Sequence, residues 1–328
     1  MNVLLLTGGV SNERDVSLRS GQAIHDALLG AGHKVKLADP ADDGFDLATL
    51  TQDIDVVFPA LHGEGGEDGI LQKQLEDLGI QFVGSGSVAS VLCWRKLQYK
   101  ELLQANQLPA SEGVIITAKD LRDDSSTSYH AKYLQRPFVL KPDQGGSSLD
   151  TLIIRTPTTA DLDKAYDLLV NHYPTGMLYE PLIDGIEITV GILNQEPLPI
   201  VEIIPPQGLE FDYDNKYNGK TQELCPPKHI GEDLQIIAQE LALKIHNLAN
   251  CSGLSRTDMM VDRHQQLHVL ETNTMPGMTT TSLFPKIVRQ AGYTKTEMIN
   301  QLLTTATQQT TLRLRFRELF SFGLQPSL

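Results

Sequence analysis

Short apolar runs alternate with stretches of helical period along the first ninety residues. Val3-Leu4-Leu5-Leu6 is continuous and apolar, as a buried parallel strand requires, and Gly8-Gly9 ends it. From about Asp15, the residues Val16, Ala23, Ile24, Ala27 and Leu28 fall on one helical stripe, and Gly32 reads as its stop. Val35-Lys36-Leu37 predicts a second strand and Ile54 to Leu61 a third. A helix over about Asp68 to Leu78 turns Ile70, Leu71, Leu75 and Leu78 inward, and Gln81-Phe82-Val83 follows. This alternation implies a doubly wound α/β unit.

Further on, the pattern becomes strand-rich. Pro137 to Pro142, Met177 to Leu182 and Gly185 to Val190 read as strands. Two apolar runs, Ser255 to Val261 and Leu267 to Asn273, flank the polar stretch Asp262 to Gln266 and predict a β-hairpin. With a loop over Arg263 to Gln266, Asp262 faces Leu267, Asp258 faces Glu271 and Arg256 faces Asn273. Side chains alternate along a strand, so these last four share one side.

Composition narrows the function classes. The chain has 328 residues, room for two or three packed domains. A net charge of −14 argues against a nucleic-acid surface. Its three cysteines, Cys93, Cys225 and Cys251, show no disulfide or zinc spacing and read as incidental thiols. No apolar stretch reaches membrane-spanning length and the first residues carry no signal-like pattern, so a cytoplasmic protein that binds no membrane is expected.

Candidate chemistry gathers at four places. The hairpin brings two carboxylates, an amide oxygen and a guanidinium to one face, a set suited to Mg²⁺ shared with phosphates; a solvated outer face is the plain alternative. Lys141 ends a strand beside Asp143-Gln144-Gly145-Gly146-Ser147-Ser148, where loop N–H groups could cradle phosphate oxygens, or the loop could be a hairpin tip. Glu180 and Glu187 could meet a ribose or an adenine amino group, or stand as surface charges. The loops Gly8 to Arg14 and Ala60 to Gly69 lie where α/β sheets bind ligands. There Glu13 could hold an ammonium or simply favour a helix N-terminus, and His62 could move a proton or cap a turn. The polar, aromatic stretch Gly208 to Pro227 reads as a lid or as an ordinary loop.

Several segments, in order, resemble the bacterial D-alanine–D-alanine ligases of the ATP-grasp superfamily. They are Ser11-Asn12-Glu13-Arg14-Asp15-Val16-Ser17, Leu61-His62-Gly63-Glu64-Gly65-Gly66-Glu67-Asp68-Gly69, Lys216-Tyr217 and Glu271 to Thr279. The likeness runs from Val3 to about Thr304. It implies an α/β and α+β protein, an ATP-grasp fold with an N-terminal doubly wound domain. The expected division is residues 1–94, a nucleotide-gripping subdomain 95–183, a metal-binding catalytic subdomain 184–306, and a tail 307–328.

The implied activity is ATP-dependent joining of two D-alanines through an acyl phosphate, supplying peptidoglycan precursor. D-Lactate or D-serine as second substrate, or an ATP-binding module without turnover, are the alternatives. By resemblance, Asp258, Glu271 and Asn273 hold two Mg²⁺ ions, with Mn²⁺ as a substitute. Lys96, Lys141 and Lys216 meet phosphates, while Glu180, Leu182, Ile183, Glu187 and Leu270 surround the nucleoside. Glu13 anchors the first D-alanine beside His62, Arg256 and the Gly277 N–H stabilise an oxyanion, and Ser282 with the Leu283 N–H holds the second carboxylate. Glu13, Ser147 and Tyr217 tie the loops and lid together, and a tyrosine at 217 implies an amine nucleophile. Homodimers are usual in the family. The chain departs from the pattern at Gly145 and Asp150 in the Gly/Ser loop, at Pro181, and beyond about Gln308.

Overall fold

A computed structural model describes residues 1–122, 136–206 and 221–321, with side chains as far as residue 308. The strands are β1 Asn2–Leu6, β2 Lys34–Ala38, β3 Val56–Pro59, β4 Val114–Ile116, β5 Phe138–Lys141, β6 Leu152–Ile154, β7 Met177–Pro181, β8 Gly185–Leu193, β9 Glu196–Ile204, β10 Gln222–Leu224, β11 Leu254–Asp262 and β12 Leu267–Asn273. The helices are α1 Arg14–Gly30, α2 Leu47–Leu50, α3 Ile70–Asp77, α4 Ser87–Trp94, α5 Lys96–Ala105, α6 Ala118–Arg122, α7 Thr159–Asn171, α8 Glu232–Leu248, α9 Leu283–Gln290 and α10 Lys295–Ser321.

The N-terminal sheet is parallel in the order β2-β1-β3, and Phe82 adds a parallel bridge to Val57. Its continuous apolar strand is buried on both faces, as the run Val3–Leu6 requires. Val3 and Leu5 pack with Ile24 and Leu28 of α1, whereas Leu4 and Leu6 pack with Leu71 and Leu75 of α3. Each fully buried Leu or Val contributes roughly 1.5–3 kcal/mol relative to an exposed one. Two expected inward residues turn out instead: Ile70 is 59% exposed and Leu78 43%. The helix begins only at Ile70, with Gly69 as its cap at φ 86°, and the stripe that meets the sheet is Leu71, Gln72 and Leu75.

Two antiparallel sheets follow. The smaller runs β4-β7-β5-β6 and the larger β10-β9-β8-β11-β12. Residues of α7, Ala165 and Leu169, cover the smaller one. Ala238, Leu241, Ala242 and Ile245 of α8 cover one face of the larger, against Ile188, Val190 and Ile192 of β8 and Met259 and Val261 of β11. Alternation then delivers Glu187, Thr189, Arg256 and Asp258 to the opposite face.

The hairpin departs from the expected register in one instructive way. Arg256 pairs with Asn273 and Asp258 with Glu271, but Val261, not Asp262, pairs with Leu267, and the register shifts between Asp258 and Met259. Asp262 belongs to the turn: its Oδ1 accepts the N–H groups of His264 and Gln266 at 2.8 and 2.9 Å. The extra residue is Leu270, a β-bulge. Leu267 and Val269 point into the core under α8. Unbroken alternation would bury Glu271 and Asn273 there too; the bulge turns them to the other face.

The C-terminal helix also differs from expectation. Met298, Ile299, Leu302, Leu303 and Ala306 of α10 pack in the same core as Val3, Leu5 and Ile24, and α10 lies against α1 and β3. The same core also takes Leu193, Leu198, Val201 and Leu254 of the larger sheet and Phe284 of α9, so this segment packs on both the N-terminal unit and the larger sheet. The helix continues to Ser321, so the tail expected from residue 307 is helical that far. No helix among the described residues is long and apolar enough to cross a membrane.

Candidate active site

A cavity of about 920 Å³ opens between the two antiparallel sheets. The smaller sheet contributes Lys141 from β5 and Glu180 from β7, and the larger contributes Glu187, Asp258 and Glu271. Lys96, Leu182, Ile183 and Leu270 also line it, so every described residue expected around ATP is brought to one space. The bulge places Leu270 on this wall together with Glu271.

Charges here are held in place by one another. Glu180 is 3% exposed. Its Oε2 is 3.2 Å from Lys141 Nζ and its Oε1 is 3.0 Å from Lys100 Nζ. The Lys100 contact is ionic without good hydrogen-bond alignment, so Oε1 remains a buried acceptor lacking a hydrogen bond. Burial would raise the pKa of Glu180, but Lys141 and then Lys100 outweigh it and keep the carboxylate ionised below the usual range. Burial pulls Lys141 down, yet Glu180 more than compensates and holds it above an ordinary lysine. Lys96 has the opposite balance: burial lowers it, opposed by Glu271, whose Oε2 is 3.9 Å away.

The Gly/Ser loop hangs over this cavity. Lys96 Nζ donates to the Gly145 carbonyl, and the Leu97 N–H donates to Asp143 Oδ1 at 2.8 Å. Ser147, Ser148 and Asp150 all take left-handed φ of 54°, 55° and 53°, a costly conformation outside glycine that clusters at functional loops. Asp150, the unexpected carboxylate, is engaged by the Tyr173 hydroxyl at 2.6 Å. The Leu182 N–H is used by the Pro137 carbonyl at 3.0 Å, which leaves the carbonyls after Pro181 as the acceptors there.

A second cavity, about 90 Å³, adjoins the first; Glu13, Gly146 and Glu271 line both. Around it stand His62, Ser147, Arg256, Asn273, Gly277, Ser282 and Leu283. Glu13 is 6% exposed. A Cβ on Gly63 would lie 2.9 Å from its Oε2, so a glycine there lets the backbone close on this carboxylate. Ser282 stands at the N-cap position of α9 with its Oγ accepting the Thr279 N–H at 3.1 Å, and with Leu283 it lines this cavity at the start of the helix.

Arg256 grips Asp258 with two bonds, Nε to Oδ1 at 2.9 Å and Nη2 to Oδ2 at 2.7 Å. Thr189 Oγ1 donates to Oδ1 at 2.5 Å and Asn273 Nδ2 to Oδ2 at 3.3 Å. Two carboxylates and an amide oxygen are hard donors that fit Mg²⁺. Among the described residues no three His, Cys, Asp or Glu side chains converge to hold an ion by themselves. A Mg²⁺ here would therefore complete its shell with phosphate oxygens and water, its usual habit.

His62 is placed differently from a free proton carrier. It is 6% exposed, and Nε2 meets Ser20 Oγ at 2.9 Å. Burial lowers its pKa to about 4, opposed by a hydrogen bond to the Met275 backbone and reinforced by Arg256. A neutral imidazole fixed at both nitrogens ties α1 to the segment after β12, and the Met278 N–H completes the link to Ser20 at 3.1 Å.

These sequences and shapes have known counterparts. Residues 102–304 match the family D-ala D-ala ligase C-terminus, and residues 35–85 match D-ala D-ala ligase N-terminus. The chain belongs to the D-alanine–D-alanine ligase family. A D-alanine–D-alanine ligase of Syntrophobacter fumaroxidans is 38% identical, over 93% of this chain and 97% of that one. One from Mannheimia succiniciproducens is 36% identical, over 92% and 96%. The crystal structure of the Bacillus anthracis D-alanine–D-alanine ligase complexed with ATP superposes with a TM-score of 0.78, at 28% identity over 95% of this chain and 99% of that one.

Two residues given roles through the family likeness, Lys216 and Tyr217, lie outside the described residues, as does the lid segment as far as residue 220. Four side chains went unread. Ser17 and Ser20 sit on the buried stripe of α1 and hold His62, the first accepting its N–H at 2.9 Å. Glu67 lines the small cavity, and burial, then the charge of Glu13, raises its pKa to about 8. Lys100 is buried behind Glu180. A serine at a core position of a helical stripe was the available signal for the first two; the others gave none.

Proposed function

We propose that this family member joins two D-alanines into D-alanyl-D-alanine with ATP, a dipeptide for peptidoglycan, inside the cytoplasm. What carries this reading is the junction of the two cavities: nucleotide-sized space on one side, an amino-acid-sized pocket on the other, and Glu271, Arg256 and Asp258 at the seam.

ATP enters between the sheets with its phosphates toward Lys96 and Lys141, and with the Glu180 carboxylate, on the cavity wall beside Lys141, toward the nucleoside. Glu13 takes the ammonium of the first D-alanine, which directs its carboxylate to the γ-phosphorus. A carboxylate oxygen bonds to phosphorus, the bond to the β-phosphate oxygen breaks, and ADP and an acyl phosphate result. Asp258, Glu271 and Asn273 would hold Mg²⁺, which when bound would neutralise the phosphate charge. The second D-alanine binds its carboxylate at Ser282 and the Leu283 N–H. Its amine, once deprotonated, attacks the acyl carbon. Arg256 and the Gly277 N–H stabilise the oxyanion of the tetrahedral intermediate, which collapses and expels phosphate. His62 and Glu67 hold the loops that shape this pocket and exclude water from the acyl phosphate.

The test is ADP formation with ATP, Mg²⁺ and D-alanine, with the product identified by mass. Equal rates with D-lactate in place of the second D-alanine would shift the reading to an ester-forming relative. Bound ATP without D-alanine-dependent ADP would leave only a nucleotide-binding module.

A further inference from the structure

Lys100 carries a charge into the core without touching either cavity. Its side chain is among the largest fully buried ones in the protein, at 0% exposure. Lysines are almost never buried so completely unless paired. Nζ donates to Ser111 Oγ at 2.6 Å and stands 3.0 Å from Glu180 Oε1. On the far side of the same carboxylate, Lys141 Nζ is 3.2 Å from Oε2. Lys141 lines the large cavity; Lys100 does not. The three groups thus form a line that runs from α5 in the core to the cavity wall.

The order of charges has an electrostatic consequence. A single carboxylate 3.2 Å from Lys141 would cancel most of the attraction that lysine offers a phosphate. Two ammonium groups around one carboxylate leave one positive charge in surplus, and only Lys141 presents it to the cavity. Burial, opposed by Glu180 and reinforced by the like charge of Lys141, holds the pKa of Lys100 below that of an ordinary lysine. The stem is packed closely as well, since a Cβ on Gly113 would lie 3.3 Å from Lys100 Cδ. We infer that Lys100 is a positioning residue that neutralises and fixes Glu180, so that Lys141 keeps its charge for the phosphates of a bound nucleotide. This rests on the reading of the large cavity as the ATP site.

The test compares a nucleotide with its phosphate-free nucleoside. Trp94, the one tryptophan of the sequence, lines the large cavity, so its fluorescence reports binding of ADP and of adenosine. Lys100→Met should weaken ADP about tenfold or more and adenosine within about threefold. The double variant Lys100→Met, Glu180→Gln again leaves Lys141 with its charge, and the ratio of ADP to adenosine affinity should return to within about threefold of wild type. Should Lys100→Met fail to fold, Lys100→Gln, which keeps a hydrogen-bonding end for Ser111, carries the same expectation. Equal losses for ADP and adenosine, or a double variant no better than the single one, would overturn the inference. If wild type itself binds no ADP, the nucleotide-site reading fails instead.

Discussion

The large cavity and the small one bind by different means. The large one takes strand residues from both antiparallel sheets, and its polar groups include side-chain charges held in pairs: Lys141 with Glu180 and Lys96 near Glu271. The small one takes Arg256, Glu271 and Asn273 from the β11–β12 hairpin together with loop residues and the start of α9, and the backbone at Gly63 comes close to Glu13. Charges suit a polyanion whose position along a groove can vary. Opposite charges gathered around a small space, Glu13 and Glu271 with Arg256, suit a small zwitterion. In the small cavity burial keeps His62 uncharged, with a pKa lowered to about 4, and raises Glu67 to about 8; in the large one burial lowers Lys96.

Arg256, at the seam, gives the largest expected effect. Arg256→Ala should lower kcat on the order of a hundredfold or more, since it removes a charged donor from the oxyanion. A loss of only a few-fold would place the oxyanion elsewhere.

The pH dependence of stability separates the cavities next. His62 is neutral when folded, so the stability it contributes is full above its unfolded pKa of 6.5 and is lost as pH falls toward 4. Between pH 7 and pH 5, His62→Gln should lose on the order of 2 kcal/mol less than wild type in denaturant unfolding. Glu67 has the opposite sign: it keeps its proton when folded, so its contribution is full below 4.5 and fades as pH rises to about 8. Glu67→Gln should flatten that decline.

Glu13→Gln, a small-cavity change, should raise the KM for the first D-alanine about tenfold while the KM for ATP stays within about twofold. Parallel rises in both would merge the two sites. The smallest effect belongs to the rim of the large cavity. Tyr173→Phe frees Asp150 and should change the KM for ATP by no more than about threefold.

The same contrast explains what could be read in advance. Strand-borne charges were legible because period-two alternation pairs Arg256 with Asp258 and Glu271 with Asn273; that both pairs share one face depends on the bulge, which offsets the early turn. The register of the whole hairpin was not, because the bulge at Leu270 leaves no composition signal and the turn begins one residue early, at Asp262. Main-chain donors carry no side-chain signature, so Gly277 and Leu283 entered only through the family likeness. The reading of α3 failed at Ile70, where an apolar residue lies on the cavity rim instead of the core. The place of the C-terminal helix was hidden for another reason: its apolar stripe shows that it packs, but not that it does so against both the N-terminal unit and the larger sheet.

The central claim is that a D-alanine carboxylate takes the terminal phosphoryl group where the two cavities meet. D-Alanine labelled with oxygen-18 in its carboxylate tests it directly, by the mass of the inorganic phosphate released. The account predicts one labelled oxygen in each phosphate formed with dipeptide; unlabelled phosphate, or label in AMP, would contradict it.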